Sequence, residues 1–225
     1  MAPAGPRLLL ASANQGKLRE LRTILDGLPV ELVGLTEAGR GDPPEVEETG
    51  DTFLENARIK ARAYAAWSGL AAVADDSGLE VDALGGAPGV RSARYAGPGV
   101  GDRANLDKLL AALAGVPPER RTARFRCAAV LVDPNGEEWH AQASWEGRVL
   151  EAPRGTGGFG YDPVFLPDGW DRTSAEVDQP TKDAASHRGQ AFRALRPAIE
   201  AWAKAARAGG LGPSPPGPLG RGSPG

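Results

Sequence analysis

The chain has 225 residues, 41% of them hydrophobic, and a formal net charge of −3. That length suits one sizeable α/β domain or two small lobes with a real core. The mild negative charge argues against a nucleic-acid-binding or anionic-membrane surface, because both want a basic face. It leaves room for a small basic pocket.

The N-terminal stretch "MAPAGPRLLLASANQG" holds an apolar run too short for a signal-peptide core or a membrane span, and no later segment approaches a membrane span in length. The single cysteine, Cys127, excludes an intrachain disulfide and reads as a buried, inert thiol in "FRCAAVLVD". A cytoplasmic protein is expected.

"RLLLA" (7–11) predicts a buried strand. A polar loop over 12–16 leads into a helix with Leu18, Leu21 and Leu25 on one face. Thr52 and Glu55 have capping-box spacing and open a second helix, with Phe53, Ala57, Ala61 and Tyr64 recurring at three or four. "LAAVA" (70–74) reads as a strand that stops at Asp75. Asp102 can cap a third helix. "ARFRCAAVLVD" and "EEWHAQASWEG" flank Pro134-Asn135-Gly136, a hairpin signal. "PVFL" (163–166) predicts a short strand. Ser186 can cap a last helix, in which Pro197 should kink or interrupt the pattern.

This order predicts an α/β fold: a mixed central sheet flanked by helices, in two lobes with a cleft. One domain over 1–207 is expected. The Gly/Pro-rich stretch 208–225 cannot bury enough apolar surface to order itself and reads as a disordered tail. A Pro-rich ligand for a partner domain has the same composition.

Five stretches carry candidate chemistry. "SANQGK" (12–17) sits at a strand-to-helix turn, where unpaired N–H groups and Lys17 attract phosphate; an ordinary capping turn looks the same. "VEETGDTFLENA" (46–57) sets Glu47 and Glu48 before a helix, as dipole complementation also would. In "ADDSG" two adjacent carboxylates repel unless a cation compensates, and Mg²⁺ takes one or two carboxylates plus phosphate oxygens. "GTGGFGYDPVF" (155–165) lets a ligand approach glycine backbone and offers Phe159 and Tyr161 as faces for a base, though a tight turn is the plainer use. "TKDAASHRGQAF" (181–192) clusters Lys182, His187 and Arg188 at a helix start; Arg188 can grip phosphate with two bonds. Together they describe a nucleotide polyphosphate pocket.

These segments, in this order, resemble the inosine/xanthosine triphosphate pyrophosphatases over about Leu8 to Leu195. The family has Thr-Gly-Asn where this chain has Ser12-Ala13-Asn14; Ser12 keeps the hydroxyl and Ala13 adds a Cβ to the loop.

The resemblance implies hydrolysis of dITP, ITP and XTP to monophosphate and pyrophosphate, with Mg²⁺ as cofactor. It also implies a homodimer whose partner molecule is a purine nucleoside triphosphate, not nucleic acid or membrane. Asp76 would be the general base and a metal ligand. Glu47 would be the second metal ligand, ahead of Glu48, and Asp75 would order the following turn. Ser12, Ala13, Asn14, Gln15, Gly16 and Lys17 would bind the triphosphate. Ser77 would contact substrate, and Phe159, Gly160, Tyr161, Asp162, Lys182, His187 and Arg188 would hold base and sugar.

A backbone N–H or a protonated His187 would donate to the 6-keto oxygen and reject adenine. Guanine's rejection falls to another contact, such as one at its 2-amino group. Two other readings fit the same residues: a related pyrophosphatase for pyrimidine or other modified nucleotides, and a nucleotide sensor without turnover.

Overall fold

The structure, a computed structural model, describes residues 5–38 and 41–209. Beyond Gly209 the expected tail lies outside the described residues. The strands are β1 (Arg7–Leu10), β2 (Glu31–Val33), β3 (Ala71–Val81), β4 (Thr122–Val132), β5 (Glu138–Val149) and β6 (Phe165–Pro167). The α-helices are α1 (Gln15–Ile24), α2 (Phe53–Ser68), α3 (Gly101–Ala112), α4 (Gln179–Ala185) and α5 (His187–Arg207).

The six strands form one mixed sheet in the order β2-β1-β3-β4-β5-β6. β1 runs parallel to β2 and β3, and β3 to β6 are antiparallel neighbours. Period-two alternation sends Leu8, Leu10 and Val73 to one face, against Leu21 of α1 and Phe192 and Leu195 of α5. Leu9, Ala72 and Ala74 face the other way, against Phe53, Ala57 and Ala61 of α2. Each leucine buried this fully contributes about 1.5–3 kcal/mol. A third cluster joins the far ends of β3 to β5 to α3, through Leu79, Phe125, Trp145 and Leu109. This is the mixed sheet with flanking helices that the sequence predicts.

Several elements follow their local signals. Thr52 and Glu55 make the capping box of α2. Asn135-Gly136 turns β4 into β5, with Gly136 at φ 87°. Ser186 accepts from Gly189 N at 3.1 Å and caps α5.

Other expectations are corrected. β3 does not stop at Asp75 but runs to Val81, because β4 pairs with it from Ala72↔Val132 to Val81↔Ala123. β6 begins at Phe165; Asp162–Val164 is a 3-10 turn, which Pro163 suits. α5 continues through Pro197 to Arg207, carried by its buried face of Phe192, Leu195, Ile199 and Trp202. Asp102 does not cap α3: the N-cap is Val100, and the Asp102 carboxylate instead accepts from Gly160 N, 2.8 Å away. Among the described residues no helix is long and apolar enough to cross a membrane.

Candidate active site

β1 ends at Leu10, paired with Val73, so the next residues of β3 have no β1 partner on that edge. A cleft of about 340 Å³ opens there. This is the position outside strand ends where α/β sheets collect ligands. Ser12, Ala13, Asn14 and Lys17 form its β1–α1 side; Gln15 and Gly16 lie in the first turn of α1, outside the wall. Asn14 caps α1 by accepting from Lys17 N at 3.1 Å, so the helix N-terminus meets the cleft. Gly16 backs onto the aromatic loop: a Cβ there would come within 3.1 Å of the Phe159 ring.

Asp75 and Asp76 are mid-strand and buried. Asp75 does not order a turn. Its Oδ2 meets Lys17 Nζ at 3.1 Å and Arg188 Nε at 3.2 Å, and accepts from Ser77 Oγ at 3.2 Å. Burial alone would raise this carboxyl, but Lys17, Arg188 and Lys60 outweigh it and hold it well below the usual carboxylate range. Asp76 faces α2. Its Oδ2 accepts from Asn56 Nδ2 at 3.2 Å, and its Oδ1 lies 3.4 Å from Lys60 Nζ. Burial raises the Asp76 carboxyl, Glu48 and Asp75 add to this, and Lys60 and Lys17 only partly offset it.

The acid that enters the cleft is Glu48, not Glu47. Exposure alternates along this segment: Val46 and Glu48 line the cleft while Glu47 and Thr49 are exposed. Lys60 Nζ bridges Glu48 Oε1 at 2.9 Å and Asp76.

The wall of the cleft around Lys182 and Arg188 rests on a buried charge network. Glu20, 3% exposed, holds Lys182 Nζ at 2.9 Å and also Arg188 Nη1. Lys182 also reaches Asp162 Oδ2 at 2.7 Å, and Asp162 accepts from Phe159 N at 2.8 Å. The Lys182 ammonium lies 4.8 Å from the centroid of the Phe159 ring. Arg188 is 2% exposed and committed to Glu20, Asp75 and Ser77 Oγ. It is therefore a structural clamp for these groups rather than a free phosphate fork. Tyr161 is buried, with its hydroxyl donating to Ser92 O at 2.8 Å.

His187 stacks on Phe125 at 4.8 Å. Burial, with Arg188 and Lys182 nearby, pushes it well below the ordinary imidazole value, so it is neutral. The expectation of a protonated His187 is corrected; a neutral ring still carries one N–H.

Sequence reasoning missed Lys60, Asn56 and Glu20. Asn56 and Lys60 are one helical turn apart on α2, which places them on one face. Glu20 carries no local signal, since its partners Lys182 and Arg188 are more than 160 residues away.

Among the described residues, no group of three or more His, Cys, Asp or Glu side chains is placed to hold a metal ion. Glu48 and Asp76, hard oxygen donors that already share the Lys60 cation, nevertheless fit Mg²⁺, which needs only one or two carboxylates when phosphates and water complete its shell.

A sequence model of the Ham1 family matches residues 8–198. A Cutibacterium acnes protein named dITP/XTP pyrophosphatase is 54% identical over 199 residues, spanning 87% of this chain and 97% of that protein. A Frankia alni protein of the same name is 57% identical over 196 residues, spanning 84% and 95%. The solved structure of a HAM1 protein from Coxiella burnetii superposes with a TM-score of 0.77 at 43% identity, covering 85% of this chain and 97% of that one. The chain belongs to the Ham1 family.

Proposed function

We propose that the cleft hydrolyses deaminated purine nucleoside triphosphates (dITP, ITP and XTP) to the monophosphate and pyrophosphate. The observation that carries this is one continuous cleft lined by Lys17 and Asp76 together with Phe159 and His187. Relatives named dITP/XTP pyrophosphatase over nearly the full match support the substrate class.

The triphosphate lies along the N-terminus of α1, with Ser12, Asn14 and Lys17 as donors. Water opens the α–β anhydride, and Asp76 takes its proton. A base positioned this way contributes roughly 10²–10⁴-fold. Glu48 and Asp76 would hold Mg²⁺, which when bound supplies further neutralisation of phosphate charge. Lys60 and Lys17 supply fixed positive charge beside it.

The base stacks on Phe159, and the neutral His187 N–H donates to the 6-keto oxygen. An adenine amine would set donor against donor in a buried site, a mismatch worth up to about 10⁴ in selectivity. Three further proposals go with this reading: action as a homodimer, residence in the cytoplasm with the nucleotide pool, and a dispensable 208–225 stretch. Sedimentation and a chain truncated after residue 207 test the first and last.

The deciding assay is pyrophosphate release from dITP, XTP, dGTP and dATP with Mg²⁺. Rapid release from dITP and XTP alone is expected. Single phosphate as product, or equal turnover of dGTP and dATP, would refute the reading.

A further inference from the structure

We propose that Asn56 is a positioning residue: it turns one fixed oxygen of Asp76 toward Lys60 and ties the acidic 46–50 stretch to that carboxylate. The inference rests on the role of Asp76 proposed above. Asn56 lies on α2 and is completely buried. Its Oδ1 accepts from Gly50 N at 2.8 Å, and its Nδ2 donates to Asp76 Oδ2 at 3.2 Å.

A backbone N–H only donates. Gly50 therefore fixes which end of the amide is oxygen, and the NH₂ end must face the carboxylate. Asp76 Oδ2 is occupied by this neutral donor. Oδ1 is left on the Lys60 side, where Lys60 also holds Glu48. A neutral amide orients the carboxylate without cancelling its charge, as a lysine or arginine in that place would.

Gly50 belongs to the same device. A Cβ there would come within 2.9 Å of Asn56 Oδ1 and 2.6 Å of Glu55 Cβ. The stretch carrying Glu48 can dock on the amide at this distance only because the residue is glycine. One side chain thus sets the acidic stretch, α2 and β3 relative to one another, and with them the separation of Glu48 and Asp76.

Two variants test this. Asn56→Asp keeps the size and the acceptor for Gly50 but replaces the donor with a second carboxylate. Asn56→Ala removes both bonds. In either folded variant, kcat for pyrophosphate release from dITP should fall at least tenfold, while the Kd of a non-hydrolysable dITP analogue stays within about threefold of wild type. A packing role would lower the melting temperature and leave kcat alone, so kcat within twofold of wild type in a folded variant overturns the proposal. Should neither variant fold, the ¹⁵N-labelled wild-type chain decides. The Asn56 side-chain amide resonances should move as Mg²⁺ is added, and resonances that stay in place overturn the proposal. A wild-type chain that releases no pyrophosphate refutes the function and not the positioning of Asp76 by Asn56, which the same titration then judges alone.

Discussion

Asp75 and Asp76 are neighbours in the chain and lie on opposite faces of β3, each against its own cations. Asp75 meets Lys17 and Arg188, whereas Asp76 meets Lys60 and the Asn56 amide. The pleat separates two charges that would otherwise repel, and it gives them different work. The well-compensated Asp75 stays ionised and anchors the clamp. The under-compensated Asp76 has its carboxyl raised, as suits a proton acceptor.

This difference predicts opposite consequences for activity and stability at Asp76. With the folded pKa raised above its unfolded value, the ionised carboxylate costs stability at neutral pH, and that cost disappears as pH falls below the folded value. Asp76→Asn should therefore abolish most pyrophosphate release, by at least 10². It should also raise Tm at pH 8 by roughly 2–4 °C, the effect of about 1 kcal/mol in a chain of this size. Calorimetry at pH 8 and pH 4 checks the sign: the gap from wild type should close at the lower pH.

Glu20 should matter for folding more than its place on the first helix suggests. It is the shared partner of two buried cations, Lys182 and Arg188. Glu20→Gln leaves both under-compensated, and breaking a buried pair costs about 3–5 kcal/mol. A fall in Tm of roughly 10 °C is expected. A change of under 2 °C would mean that Asp162 and Asp75 suffice to hold the two cations.

The buried His187 makes a separate pH prediction. Its folded pKa is lowered below 6.5, so the unfolded chain takes up the proton first as the solution is acidified. Its contribution to stability is full above 6.5 and is lost progressively below it, down to the folded value. Urea midpoints at pH 7.5 and 5.5 should drop more for wild type than for His187→Gln. Equal drops would place the imidazole in contact with water.

The sequence made legible what is decided within a few residues. The Asn135-Gly136 turn, the Thr52–Glu55 capping box and the Ser186 cap each carry their cause locally. The errors share a different cause. Asp75 looks like the end of a strand because the cations that make it tolerable come from positions 17, 60 and 188. Asp102 looks like a helix cap, yet its acceptor is used by Gly160, 58 residues on. The pocket residues were recognisable by type and motif, but not the partners that hold them. Glu20 and Asn56 act through distant contacts that no spacing rule reports.

The Glu47–Glu48 pair gives the sharpest test, because motif and geometry name different residues. The alternating exposure of residues 46–49 puts Glu48 in the cleft beside Lys60 and leaves Glu47 exposed. Losing one of two carboxylates should weaken Mg²⁺ strongly, since water must take its place in the shell. Glu48→Gln should raise the Mg²⁺ concentration for half-maximal pyrophosphate release at least tenfold. Glu47→Gln should leave it within about twofold, because exposed surface substitutions away from a site change little. Both variants should keep the wild-type Tm within a few degrees, since neither side chain belongs to the core clusters. A Mg²⁺ titration of the two variants side by side decides it. The reverse ranking would mean that the segment turns over when substrate and metal bind, bringing Glu47 inward.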